Sequence, residues 1–235
     1  MTLAARPLPR QPAEDILREG PPSPGDRSPS FAIPPGPLGA HGGALVARLL
    51  DDHTLERLTR EAWACHPQAL EQRVQRADDV AALRGDPNRW LQNAPGGPVL
   101  QAFYDSSTVL ATLAGLTGLR WRTAGGLGTF SYYRRQGHHL GLHRDLDICE
   151  LAVITCIYDD SPAGGISGAL RLYPSRSDDG LRAIVADPRG GVDVHLRSGD
   201  SLILLGGLVP HRLLPVRAGH VRVVTPLCYQ VENGR

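Results

Sequence analysis

Lysine is absent from this 235-residue chain, and all 25 basic residues are arginine. Any cationic side chain that grips a carboxylate must therefore be arginine, whose planar fork binds it bidentately. With abundant Ala, Gly, Pro and Leu, the bias fits a GC-rich bacterial genome. A formal net charge of +1 gives no general electrostatic reason to expect nucleic acid or an anionic membrane as partner. Cysteine is sparse: Cys65, Cys149, Cys156 and Cys228 form no CxxC pair, which argues against a zinc ribbon or dithiol motif. Cys149 and Cys156 read as small buried hydrophobes in an apolar strand, and a reducing cytoplasm fits best. No apolar run approaches a membrane span. Prolines and charges interrupt the N-terminus, so a signal peptide is not expected.

What is present changes character along the chain. Residues 1–40 are crowded with Pro and Gly and read as an extension, flexible or partly docked. Residues 41–119 read as a helical supporting region. An apolar stripe begins at Val46, Leu49 and Leu50 and continues through Leu55, Leu58 and Ala62, with Asp52 or Thr54 as cap. Residues 70–84 suit a surface helix, 85–98 a loop, and 98–119 a further helix ending near Gly118. From 120 to 235 the pattern becomes short β-type runs at roughly ten-residue spacing. Strands are expected at 127–133, 138–144, 149–158, 168–173, 182–186, 192–196, 201–205, 212–216 and 221–230. The fold class is mainly β with flanking helices, a jelly-roll (double-stranded β-helix) core in a single catalytic domain.

The chemistry is concentrated in His143-Arg144-Asp145, with a lone His211 downstream and Arg222 eleven positions later. Two imidazoles and one carboxylate are the set that holds a non-haem Fe(II) on one face, leaving three positions open. Strand alternation puts His139, Gly141, His143, Asp145 and Asp147 on one face, with Leu140, Leu142 and Leu146 on the other. His143-Arg144-Asp145-Leu146 also matches the start of a kinase catalytic loop. Glu150 replaces the expected Asn, and neither Asp-Phe-Gly nor a Gly-rich nucleotide loop exists, so that reading fails.

The segment Gly137-His138-His139-Leu140-Gly141-Leu142-His143-Arg144-Asp145 resembles the iron-binding block of Fe(II)/2-oxoglutarate-dependent dioxygenases, particularly the prolyl-hydroxylase-like branch. Gly164-Gly165 with Gly168-Ala169-Leu170-Arg171-Leu172-Tyr173 is similar to that group's Gly-Gly-x-Leu strand. Gly199-Asp200-Ser201-Leu202-Ile203-Leu204-Leu205, then His211, Pro215-Val216, Gly219 and Arg222, resembles its closing block. The resemblance covers about residues 120–230. It implies Fe(II) held by His143, Asp145 and His211, with 2-oxoglutarate and O2 as cosubstrates. Arg222 would pair with the C5 carboxylate, and Tyr133, which shares strand parity with His143, would hydrogen-bond the cosubstrate. Arg222 stands one place later after its Gly than is common, so a bulge near Gly219 is needed if it points inward. Asp145 fills the ligand position that related halogenases leave to chloride, which favours hydroxylation over halogenation and leaves desaturation, epoxidation and ring formation open.

Arg134, Asp147 and Arg171 are candidate substrate contacts near the mouth of the site, and Trp90 and Asn93 could cover it. His139 reads as cavity-lining or solvated rather than as a ligand. The implied substrate is a small molecule, such as an amino acid or a specialised-metabolite or peptide intermediate. Rival readings are a cupin-like dioxygenase needing no 2-oxoglutarate, a metal-binding sensor, and repair of alkylated nucleic acid. The last is disfavoured by the missing basic, aromatic-studded patch.

Overall fold

The computed structural model describes residues 34, 36–75, 86–161 and 165–232. Residues 1–33, the 76–84 part of the expected surface helix, and Gly164 lie outside them. Among the described residues, twelve strands form one curled, mainly antiparallel sheet. In chain order they are β1 (Ala44–Ala47), β2 (Leu70–Val74), β3 (Arg89–Pro95), β4 (Trp121–Thr123), β5 (Thr129–Tyr133), β6 (His139–His143), β7 (Leu151–Asp159), β8 (Leu170–Leu172), β9 (Val192–Val194), β10 (Ser201–Leu204), β11 (His211–Leu213) and β12 (Arg222–Val231). The sheet runs β1-β10-β7-β12-β5-β3-β6-β11-β8-β9, with β2 paired to β3 and β4 to β12. One wing, β10-β7-β12, carries Leu202, Leu204, Ala152, Ile154 and Val224 into the same buried cluster as Leu170, Leu172 and Leu213 from the other wing. The sheet therefore folds over itself, as the jelly-roll reading requires.

The convex face is covered by helices. These are α1 (Pro37–Ala40), α2 (Asp52–Cys65), α3 (Pro98–Tyr104) and α4 (Ser107–Thr117), while α5 (Leu181–Ala186) packs elsewhere. Period-2 alternation divides the strands between two cores: Leu151, Val153, Ile203, Val223 and Tyr132 meet Leu58, Leu100 and Leu113 on the outer side. Leu38 in α1 is fully buried, so residues 36–40 are docked. Glu61 of α2 accepts the Gly97, Val99 and Leu100 N–H groups at 3.2, 2.8 and 2.8 Å, capping the positive end of α3 with a carboxylate.

Several local readings are corrected. Val46 belongs to a strand, and α2 is capped by Asp51, whose side chain accepts from Thr54 N–H at 2.6 Å. Residues 70–74 and 89–95, expected as helix and loop, are strands, and β3 lies between β5 and β6. The 98–119 helix is broken at Asp105 and restarts behind an Ser106 cap. The expected strand at 182–186 is helix α5, because Leu181 and Ile184, three apart, bury one face against Leu142 and Tyr173.

Cys149 and Cys228, read as unpaired, form a disulfide with Cα atoms 4.8 Å apart, the two residues standing 79 positions apart in sequence. The spacing argument failed because the partners meet only through tertiary structure, and the bridge removes the cysteine-based ground for a reducing compartment. Reduction, or Cys228→Ser, is expected to lower the melting temperature by roughly 5–15 °C, as cross-linking a loop of this length stabilises by ~2–4 kcal/mol. Thermal melts with and without reductant check this. No described helix is long and apolar enough to cross a membrane.

Candidate metal centre

β6 and β11 are antiparallel neighbours, and His211 lies directly opposite His143. Asp145 follows two residues past His143, its N–H held by the Gly206 carbonyl at 2.9 Å. One ligand atom from each of His143, Asp145 and His211 lies within 4.8 Å of the others. Asp145 Oδ1 is 3.5 Å from His143 Nε2 and 3.7 Å from His211 Nε2. Those separations match the scale set by a divalent ion, whose bonds of about 2.1 Å place neighbouring ligand atoms roughly 3 Å apart.

The imidazoles are set for ligation by their own backbones. His143 Nδ1 is 2.9 Å from Gly141 O, and His211 Nδ1 is 2.9 Å from Val209 O. A carbonyl only accepts, so each Nδ1 carries the proton and each Nε2 lone pair faces Asp145. Burial, then the neighbouring His143 ring, push the His211 imidazole down to about 4, against the pull of Asp145. At neutral pH it is uncharged, as a metal ligand must be.

Two residues that hold this geometry carried no sequence signal of their own. A Cβ at Gly206 would lie 1.7 Å from Asp145 Oδ2, so only glycine admits the carboxylate. Gly206→Ala is expected to weaken Mn(II) binding at least about tenfold, the cost of disturbing a group that orients a ligand. Titration of the metal followed by calorimetry reads this directly. Arg144, the middle residue of the motif, is buried. It donates to the carbonyls of Leu208, Ser177 and Asp179 at 3.2, 2.8 and 2.7 Å, tying the ligand loop to the approach to β11.

Arg222 lies opposite Tyr133 on β5 and opposite Asp159 on β7, and opposite residues share a face. Tyr133 belongs to the inner cluster, as does Leu172, which lies opposite His211. Arg222 and the three candidate ligands therefore share the inner face. The bulge expected near Gly219 is instead a tight turn: Gly219 has φ 78°, and His220 N–H bonds Arg217 O. Arg222 is 2% exposed. Its NH1 donates to Asp159 Oδ2 and to Leu196 O, the latter at 3.1 Å, whereas its buried Nε and NH2 have no partner among the described residues. Burial pushes the Tyr133 hydroxyl far above the usual phenol range, opposed by the charge of Arg222.

The remaining sequence candidates lie elsewhere. A bulge in β6 sets Leu213 opposite Leu140, so Leu140 packs inward and His139 turns outward beside Trp90. Asn93 stays on the inner side, accepting from Ser131 Oγ at 2.7 Å. Arg134 bonds His66 at 2.6 Å and lies over Trp63, on the helix-covered side. Arg171 is held by Asp193 at 2.7 and 2.8 Å, on the outer face between the inward Leu170 and Leu172. Asp147 is exposed on the loop leaving Asp145.

No protein-family model and no curated protein matches the sequence. Solved structures share the fold. The epimerase SnoN in complex with Fe3+, alpha ketoglutarate and nogalamycin RO superposes with a TM-score of 0.61 at 14% identity, covering 80% of this chain and 78% of that one. A Pseudomonas putida prolyl-4-hydroxylase gives 0.57 at 17%, covering 83% and 96%. AviO1 from Streptomyces viridochromogenes gives 0.61 at 15%, covering 82% and 93%. At these identities the likeness is one of fold.

Proposed function

We propose that the protein is a non-haem Fe(II)/2-oxoglutarate-dependent oxygenase that hydroxylates an unactivated C–H bond of a small molecule. The observation that carries this reading is the buried Arg222 guanidinium, whose Nε and NH2 are unpartnered among the described residues, on the face that gathers His143, Asp145 and His211. Buried N–H donors without an acceptor are costly even on a guanidinium whose other edge is paired with Asp159, and a cosubstrate carboxylate supplies the missing acceptor.

The donor set fits the metal. His143 Nε2, His211 Nε2 and an Asp145 oxygen would hold one ferrous ion; two neutral imidazoles and one carboxylate leave positions for cosubstrate and O2. When bound, iron with 2-oxoglutarate and O2 supplies the oxidation, giving hydroxylated product, succinate and CO2. The chain's own residues do the positioning. Gly141 O and Val209 O fix the two rings, Gly206 leaves room for Asp145, Arg222 takes the far carboxylate, and Tyr133 offers its hydroxyl beside it. With its phenol held protonated by burial, Tyr133 donates and adds no negative charge.

A small-molecule substrate is supported by SnoN, whose complex contains nogalamycin RO. The same neighbour is an epimerase. The test is succinate release from 2-oxoglutarate by Fe(II)-reconstituted protein in air. Metal-dependent succinate, even without a substrate, supports the reading. A metal-binding sensor, or a cupin-like dioxygenase using no cosubstrate, gives none.

A further inference from the structure

Arg222 already holds a carboxylate of the protein's own. Simple alternation along β7 would point Asp159 outward with Leu151 and Val153. A bulge at Ile157 intervenes: Val224 faces Cys156, while Val223 faces Tyr158. The extra residue reverses the parity, a common use of bulges, and brings Asp159 inward against Arg222. The displaced Ile157 carbonyl is taken up by the Thr59 hydroxyl of α2 at 3.3 Å. The Asp159 side chain is only 7% exposed, and His220 Nε2 lies 3.5 Å from it. His220 Nδ1 is 2.7 Å from Ser167 Oγ, which accepts from Arg217 N–H. Space for this cluster comes from Gly168, where a Cβ would lie 2.8 Å from His220 and 3.3 Å from Arg222.

We propose that Asp159 sets the affinity and selectivity of the cosubstrate pocket by occupying one edge of Arg222 with a permanent negative charge. This rests on the 2-oxoglutarate reading above. A lone buried arginine prefers an acid to a neutral terminus strongly. Here the guanidinium is neutralised in advance, so an arriving carboxylate leaves two negative charges on one positive. Two carboxylates about 6 Å apart, at an effective dielectric near 20, repel enough to weaken binding roughly 10- to 100-fold. The open Nε/NH2 edge still supplies a bidentate receptor, so hydrogen bonding selects the ligand's shape while net charge contributes little. Cys156 and Tyr133 flank the pair, and burial holds both in their neutral forms, so neither adds a further negative charge.

Asp159→Asn tests this, because the amide oxygen can still accept from NH1 while the charge is removed. Binding to Mn(II)-loaded protein is measured by calorimetry for 2-oxoglutarate and for 2-oxoglutaramate, which carries a neutral terminal amide. The wild type is expected to bind the two within about tenfold of each other. Asp159→Asn is expected to bind 2-oxoglutarate about tenfold tighter and to widen the acid-over-amide preference to about a hundredfold. Equal or weaker binding of 2-oxoglutarate by the variant overturns the proposal and leaves Asp159 a merely structural partner. Should the variant not fold, the wild-type ratio decides, since an acid preference above about a hundredfold contradicts it. A wild type that binds neither compound would instead sink the functional reading.

Discussion

Asp145→Ala is expected to abolish succinate release and to weaken Mn(II) or Fe(II) binding by at least about a hundredfold. Disturbing a group that merely orients a ligand costs ten- to a hundredfold, and this substitution removes a ligand atom. It also removes the negative charge standing 3.5 and 3.7 Å from the two imidazoles, leaving two neutral donors for a divalent ion. The alanine side chain opens no core cavity, since Asp145 lines the site and is partly exposed. The metal-free variant should therefore melt near the wild-type temperature. The distinguishing result lies in the metal-loaded state: metal raises the melting temperature of the wild type by mass action and leaves that of the variant unmoved. Retained succinate release would remove Asp145 from the ligand set.

Arg222→Met should raise the dissociation constant for 2-oxoglutarate about a hundredfold or more while metal binding persists. Charge-assisted hydrogen bonds are worth ~1.5–3 kcal/mol each, and two from Nε and NH2 make a loss of this size the lower expectation. Methionine keeps much of the aliphatic volume, so the change reports on the guanidinium. It also strands Asp159 as a buried, uncompensated carboxylate, which is destabilising by ~3–5 kcal/mol. The double variant Arg222→Met/Asp159→Asn removes that burden and should recover stability without recovering cosubstrate affinity. Calorimetric titration of the Mn(II)-loaded proteins reads both effects. An unchanged requirement for 2-oxoglutarate would place the anchor on another residue.

The expected ligand set was legible because its residues are rare in kind and fixed in spacing. His143 and Asp145 are two apart at the end of a strand, and His211 opens another with an apolar run before it. The β-rich half was legible too: β5, β6, β7, β10 and β12 all overlap the runs of strand-forming residues where strands are expected. β3 was not, because Arg89-Trp90-Leu91-Gln92-Asn93 has poor strand composition and its pairing with β5 and β6 is a tertiary fact. The two bulges were equally hidden. One reverses His139 and Leu140, the other turns Asp159 toward Arg222, and neither announces itself in alternation alone. Asp159 was passed over for that reason. Arg134 and Arg171 drew attention as the only kind of cation the chain owns, yet each has a partner on the far side of the sheet. Gly206 and Arg144 matter through what they leave room for or tie down, which a motif does not display.

The most direct measurement is a crystal structure of the protein soaked with Mn(II) and 2-oxoglutarate under anaerobic conditions, with the ion located by anomalous scattering. The account predicts one ion within bonding distance of His143 Nε2, Asp145 and His211 Nε2, and the far carboxylate of the cosubstrate on Arg222 Nε and NH2. An ion held elsewhere, or a cosubstrate that leaves that edge of Arg222 untouched, would contradict it.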